Sequence, residues 1–134
     1  MIDQELRERL EKGLARGFTL DLGIRFRELD EGYAELEMPM EDRKRNIYGM
    51  AHGGVLYTLL DTSSGFAVRS YGDRVVTLTG TVNYLVAGKE SSCLLAKARV
   101  VRKGGHTAVV SAEVFDDKGT LLANGSFNFY VLRD

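Results

Sequence analysis

The chain has 134 residues, 44% of them hydrophobic and 28% charged, the balance of a soluble globular protein with room for one domain. Its 18 basic and 19 acidic residues leave a net charge of −1, which offers no basic field to a nucleic-acid backbone or an anionic membrane surface. The single cysteine, Cys93, excludes an internal disulfide, no apolar run reaches membrane-spanning length, and the N-terminus MIDQELRERLEKG has no apolar signal region, so a cytoplasmic protein is expected.

In chain order, Ile2, Leu6, Leu10 and Leu14 recur every four residues among charged ones. This predicts an N-terminal amphipathic helix within residues 1–17, stopped at Gly17. From Leu20 to Met40 the period changes to two, with Ala34, Leu36 and Met38 alternating with Tyr33, Glu35 and Glu37; two strands turning at Asp30-Glu31-Gly32 are expected. After the charged loop EDRKRN, residues Gly54 to Tyr71 read as one long helix, with Gly72 as its C-terminal cap. The remainder, Arg74 to Leu132, is rich in Val, Thr, Phe and Tyr and is punctuated at Ala87-Gly88-Lys89, Lys103-Gly104-Gly105 and Asp116-Asp117-Lys118-Gly119. Four long strands with tight connections follow, and tight connections imply antiparallel neighbours. Only the helix at 54–71 is long enough to cover the apolar face of such a sheet, so the sheet is expected to wrap it. The fold class is therefore α+β, an antiparallel sheet around a long central helix with an extra N-terminal helix. Residues 1–134 form a single domain whose core is 18–134.

On a helical projection Val55, Leu56, Leu59, Leu60, Phe66 and Ala67 cover one broad side, while Tyr57, Thr58, Asp61, Ser64 and Gly65 share the other. The only opposite charge in the helix is Arg69, two turns away, so Asp61 has no partner at ion-pair spacing. Either Asp61 points to water or it faces a cleft at a subunit boundary, where a stripe of Thr, Ser and Gly suits close packing against a second copy. A buried carboxylate is costly unless it is hydrogen-bonded or useful. His52-Gly53-Gly54 directly precedes the helix, where free N–H groups point outward and the dipole favours negative charge. The triplet reads either as a plain glycine-rich turn or as a device that polarises a carbonyl oxygen. His106 has no second histidine or cysteine cluster, so no metal site is expected. Cys93 begins a strand and reads as a packing residue. Ser63 and Ser64 lack the Gly-x-Ser-x-Gly setting of a hydrolase elbow.

The spacing of Asn46, His52-Gly53-Gly54 and then Asp61, nine residues after the histidine, resembles the hotdog-fold acyl-CoA thioesterases. The branch is that of the phenylacetate-pathway and 4-hydroxybenzoyl-CoA thioesterases. The likeness runs over roughly residues 20–132, and HGGVLYTLLDTSSG is its most specific part. It implies hydrolysis of an acyl-CoA to free acid and CoA, with no cofactor beyond the CoA of the substrate. In that resemblance Asp61 is nucleophile or general base, the Gly53 N–H binds the thioester oxygen, Asn46 and His52 orient the acyl-thioester and the loop, and Thr77 assists with its hydroxyl. CoA would be held by Gly54, by Tyr84, Leu85 and Val86, and by the hairpin Arg102, Lys103, Gly104, Gly105 and His106. That hairpin offers two cations and exposed amides, and reads equally as a phosphate-contact loop or a solvated turn.

The family assembles as a dimer whose two sheets join, commonly paired again into a tetramer, with active sites between subunits. Asn46 can then come from the subunit that faces Asp61. Two departures stand out: relatives usually carry an Arg-Pro or similar pair where this chain has Leu85-Val86-Ala87, and the loop KESSCLL lacks the glycine common before the next strand. A non-catalytic acyl-CoA-binding hotdog module is the alternative. An acyl-thioester dehydratase would need proline-rich surroundings that YGMAHGG does not have.

Overall fold

The alternating apolar residues of the chain become one six-stranded antiparallel sheet in the computed structural model, which describes residues 1–133. Its strands are β1 (Arg25–Asp30), β2 (Tyr33–Pro39), β3 (Arg74–Tyr84), β4 (Cys93–Lys103), β5 (Thr107–Asp116) and β6 (Leu121–Leu132), in the spatial order β1-β2-β4-β5-β6-β3. The helices are α1 (Gln4–Leu14), α2 (Gly17–Leu22) and α3 (Gly53–Arg69).

The sheet wraps α3 as the pattern predicts. Leu56, Leu59, Leu60, Phe66, Ala67 and Val68 of the helix are buried, and each fully buried Leu, Phe or Val side chain contributes roughly 1.5–3 kcal/mol. Facing them, the strands alternate buried and exposed residues, and many of the buried ones are small: Ala34, Ala96, Ala98, Ala108 and Ala112 let the helix approach the backbone closely. Ser63 and Ser64 are also buried. Ser64 thus departs from its expected place on the polar side, because the concave sheet encloses more of the helix circumference than a flat layer would.

Two other features differ from the sequence expectation, and a third lies outside it. Gly17 is not the stop of α1, which ends at Leu14 with Ala15 as its cap; at φ +57 it is the first residue of α2, so the chain re-enters a helix instead of extending. Thr19 fixes this turn by donating to the Leu14 and Arg16 carbonyls, and Gly23, at φ +74, closes it. Next, β3 and β4 are not neighbours: β3 crosses to the far edge and pairs with β6, from Arg74 opposite Leu132 to Tyr84 opposite Ala123. The connection is tied down instead by Leu85 and Val86 donating to the Leu122 carbonyl and by Ala51 donating to Gly88. Last, the charged loop EDRKRN is not simply solvated. Lys44 is 2% exposed, and its ammonium donates to the Leu22 and Pro39 carbonyls and pairs with Glu41 at 2.8 Å. That bond holds the Glu41 carboxyl below its ordinary range.

The helix starts where a side chain satisfies its first donors. His52 is extended, and its Nδ1 accepts from the Gly54 N–H at 2.8 Å, an N-cap contact made by an imidazole. At the other end Tyr71 donates to Val68 and Gly72 to Arg69, and Gly72 turns the chain away at φ +97. No helix among the described residues is long and apolar enough to cross a membrane.

Two stability predictions follow from these contacts. His52→Ala removes the N-cap and should cost about 1 kcal/mol in a denaturant titration, while His52→Asn, a strong capping residue, should recover most of it. Gly80→Ala places a methyl 2.5 Å from the Tyr57 hydroxyl and against the Phe127 ring, and should lower stability by about 1–3 kcal/mol in the same measurement.

Candidate active site

Asp61 lies on the third turn of α3, half-buried, and the neighbouring edge strand meets it. The Thr77 hydroxyl donates to Asp61 Oδ1 at 2.8 Å, and Oδ2 accepts from no described residue. A carboxylate held by one oxygen keeps a fixed orientation and presents the other. It opens on a cleft of about 270 Å³ walled by Gly65, Phe66, Val75, Val76 and Phe129.

A second cleft, of about 280 Å³, lies at the helix N-terminus among Asn46, Met50, Gly53, Tyr84, Leu85 and Val86. There the Tyr84 hydroxyl donates to the Gly53 carbonyl at 3.0 Å, and a Cβ on Gly53 would stand 3.5 Å from the Tyr84 ring. The first N–H groups of a helix have no intrahelical acceptor. That of Gly54 is taken by His52, whereas that of Gly53 donates to no described residue. A Cβ on Gly54 would press on His52 Nδ1 at 3.1 Å and so disturb the cap. Asn46 spends its Oδ1 on the Tyr48 and Met50 N–H groups, an Asx-type turn that shapes the loop. Its side-chain amide donates to no described residue. Gly53 is therefore the donor left over for a ligand, Gly54 is committed to the cap, and His52 and Asn46 build the loop that holds both.

One irregularity lets a single strand serve both clefts. In β3, Thr77 pairs with Phe129 and Thr79 with Asn128, so Leu78 is an extra residue, a β-bulge. Before it the residue facing α3 is Thr77; after it the facing residues are Gly80, whose missing Cβ makes room for Tyr57 and Phe127, and Tyr84, which reaches Gly53. Odd positions face the helix on one side of the bulge and even positions on the other. Tyr57 packs its ring edge-on against Phe127 at 5.4 Å; the bulge was not legible as part of the site, and Gly80 within a strand was the one available signal.

The structure does not gather all the sequence-selected residues in one chain. Gly53 and Asp61 are eight residues apart on one helix, about 12 Å along its axis, too far to act on one carbonyl group. The expected CoA residues divide likewise. Tyr84, Leu85 and Val86 lie at the α3 N-terminus, whereas Arg102, Lys103, Gly104, Gly105 and His106 form the β4–β5 hairpin at the opposite end. There Lys103 pairs with Asp73 at 2.8 Å and lies 5.5 Å from the Tyr71 ring, and the His106 carbonyl accepts from Val131. The ends of β3 are about 33 Å apart. Arg102 and His106 are exposed. No group of three or more His, Cys, Asp or Glu among the described residues could hold a metal ion.

Comparison with known proteins places this geometry. The profile of the thioesterase superfamily matches residues 48–123, the stretch from the loop before α3 to β6. A candidate esterase of Archaeoglobus fulgidus is 31% identical over 113 residues, which span 84% of this chain and 73% of that protein. The acyl-coenzyme A thioesterase PaaI of Escherichia coli is 31% identical over 102 residues, 76% of this chain and 73% of its own. A Streptococcus mutans protein solved bound to acetyl CoA superposes with a TM-score of 0.78 at 33% identity, covering 81% of this chain and 88% of that one. With α3 wrapped by an antiparallel sheet and the His-Gly-Gly and Asp61 positions inside the matched region, the chain belongs to the thioesterase superfamily and has its hotdog fold.

Proposed function

We propose that the protein is an acyl-CoA thioesterase that releases free acid and CoA from a site shared by two antiparallel copies of the chain. The observation that carries this reading is Asp61, fixed through one oxygen by Thr77 and open through the other to a cleft. The sequence relative named acyl-coenzyme A thioesterase and the structural relative bound to acetyl CoA support the substrate class.

The second copy answers the 12 Å separation along α3. The edge strand β3 carries no charged residue from Val75 to Tyr84, and Val76 and Leu78 are 47% and 54% exposed, so it is an edge without protection. By contrast, β1 at the other edge carries Arg25, Arg27 and Glu28 and a bulge near Arg27. Pairing β3 with its copy in antiparallel fashion sets the Gly53 and Tyr84 end of one chain beside the Asp61, Thr77 and hairpin end of the other. The Gly53 N–H then holds the thioester oxygen as negative charge develops there, a contribution of about 10²- to 10³-fold per donor. Asp61 serves the carbon. Water supplies the hydroxyl that ends on the acyl carbon, the C–S bond breaks, and the departing CoA sulfur takes a proton. Asp61 either accepts the proton of the attacking water or first forms an acyl-aspartyl anhydride that water opens. Rapid-quench mass spectrometry of a single turnover separates the two, since only the anhydride route adds the acyl mass to the chain.

Asp61→Asn should lower CoA release from a good acyl-CoA by about 10²- to 10⁴-fold with unchanged circular dichroism and oligomer size. Parent-rate hydrolysis by this variant would remove Asp61 from the chemistry, and tight binding of acyl-CoA by the parent without thiol release would assign a binding module instead. Mixing Asp61→Asn chains with Gly53→Val chains should restore activity at about a quarter of the sites, because each mixed pair keeps one intact site. No recovery from chains shown to exchange would overturn the shared site.

A further inference from the structure

Asp61, Gly65 and Arg69 are spaced four residues apart and share one stripe of α3. Gly65 has no side chain, so the stripe stays open between two charged groups about 12 Å apart along the axis. Both charged residues border the same cleft, whose walls between them are Phe66, Val75, Val76 and Phe129. It is an apolar passage with a reactive carboxylate at one end and a guanidinium at the other.

That guanidinium is unusual in what surrounds it. Arg69 lies over the Phe66 ring, 4.9 Å from its centroid, and its terminal nitrogens approach Gly13 of α1, where a Cβ would stand 3.6 Å away. It makes no hydrogen bond or ion pair with any described residue. The other charged groups near it are Arg9 on α1, of like sign, Arg74, and Asp73, whose carboxylate is taken by Lys103 at 2.8 Å; Arg9, Asp73 and Arg74 line a second cleft together with Arg69. Burial and the neighbouring Arg9 both push the Arg69 pKa below its ordinary value. A cation that serves only the negative end of a helix can do so from solvent. One withdrawn between a ring and a facing helix, beside a second arginine, lacks an anion among the described residues.

We infer that the anion comes with the substrate: Arg69 selects acyl groups that carry a carboxylate at the end remote from the thioester. The inference rests on the thioesterase reading, with Asp61 at the reacting end. The chain of the acyl group would lie along Gly65 between Phe66 and Phe129, and its terminal carboxylate would meet the guanidinium in a charge-assisted pair. The electropositive surroundings of Arg9 and Arg69 would repel no such group, while a methyl-terminated chain of equal length would leave the guanidinium without its anion.

The test uses pairs of acyl-CoAs matched in chain atoms, one ending in carboxylate and one in methyl, over a series of lengths. The parent should favour the carboxylate member in kcat/KM by roughly 10- to 100-fold at its preferred length. Arg69→Met, which keeps an unbranched apolar stem over Phe66, should bring that ratio to about one or below, and Arg69→Lys should restore part of it. No carboxylate preference in the parent at any length, or a preference that survives in Arg69→Met, overturns the inference. Non-hydrolysable thioether versions of the same pairs, measured by calorimetry, should bind the parent with the same order of preference and lose it at high salt. If no thioester is cleaved the thioesterase reading fails, yet the thioether affinities still decide whether Arg69 selects a carboxylate.

Discussion

A single extra residue in an edge strand sets the geometry on which the candidate site depends. Side chains on a regular strand alternate faces, so a strand that points Thr77 at the helix would point Gly80 and Tyr84 away from it. The bulge at Leu78 resets the alternation. With it, the same strand gives a hydroxyl to Asp61 and a phenol to the Gly53 carbonyl, and it leaves a space at Gly80 that Tyr57 and Phe127 fill. Without it, one of the two contacts to α3 would be lost and its partner on the helix would need another anchor. The bulge therefore links two sites that are about two turns of α3 apart.

Those sites lie at different heights along α3 because a helix has only one N-terminus with free donors, and a carboxylate placed beside it would compete for them. Setting Asp61 two turns away keeps the Gly53 N–H available. The separation is inconsistent with both acting on one carbonyl in one chain. The proposed two-fold arrangement meets the distance, because each helix then offers its donor to a thioester oxygen whose carbon faces the partner's carboxylate. The unprotected edge of β3 and the bulge that shapes it belong to the same strand, so the surface that would join two copies is also the one that orients Asp61.

Much of the fold was legible because it follows from periodicity and turn chemistry. Leu10 and Leu14 are buried as the four-residue spacing requires, the turn at Asp30 to Gly32 forms with Gly32 at φ +73, and Asp116 closes its turn by accepting from Lys118 and Thr120. The Asp61 position was legible as a charge without a local partner, and Thr77 entered only through the family resemblance. What was not legible is non-local. The pairing of β3 with β6 depends on how the sheet closes around α3, and no short-range signal carries it. The bulge changes a register and leaves no mark except Gly80. The helix at Gly17–Leu22 was missed because glycine was read as a stop, when Thr19 rebuilds the turn immediately after it. Arg69 read only as a cation two turns from Asp61, because its surroundings come from α1 and from the strand edge.

The buried Lys44 fits the same logic of holding the Gly53 donor in place. A desolvated ammonium is costly unless its protons are used, and here they reach the Leu22 and Pro39 carbonyls and the Glu41 carboxylate. The backbone carbonyl of Lys44 in turn accepts from His52, Ala51 donates to Gly88, the Arg45 side chain reaches the Ser91 carbonyl, and Asn46 ties down Tyr48 and Met50. The loop before α3 is thus fixed from its start to the cap residue by polar contacts that local propensity alone would not supply. A donor that is to stabilise developing charge gains most when its orientation is set before the reaction begins. The charged run EDRKRN is, in three dimensions, the scaffold of the Gly53 N–H.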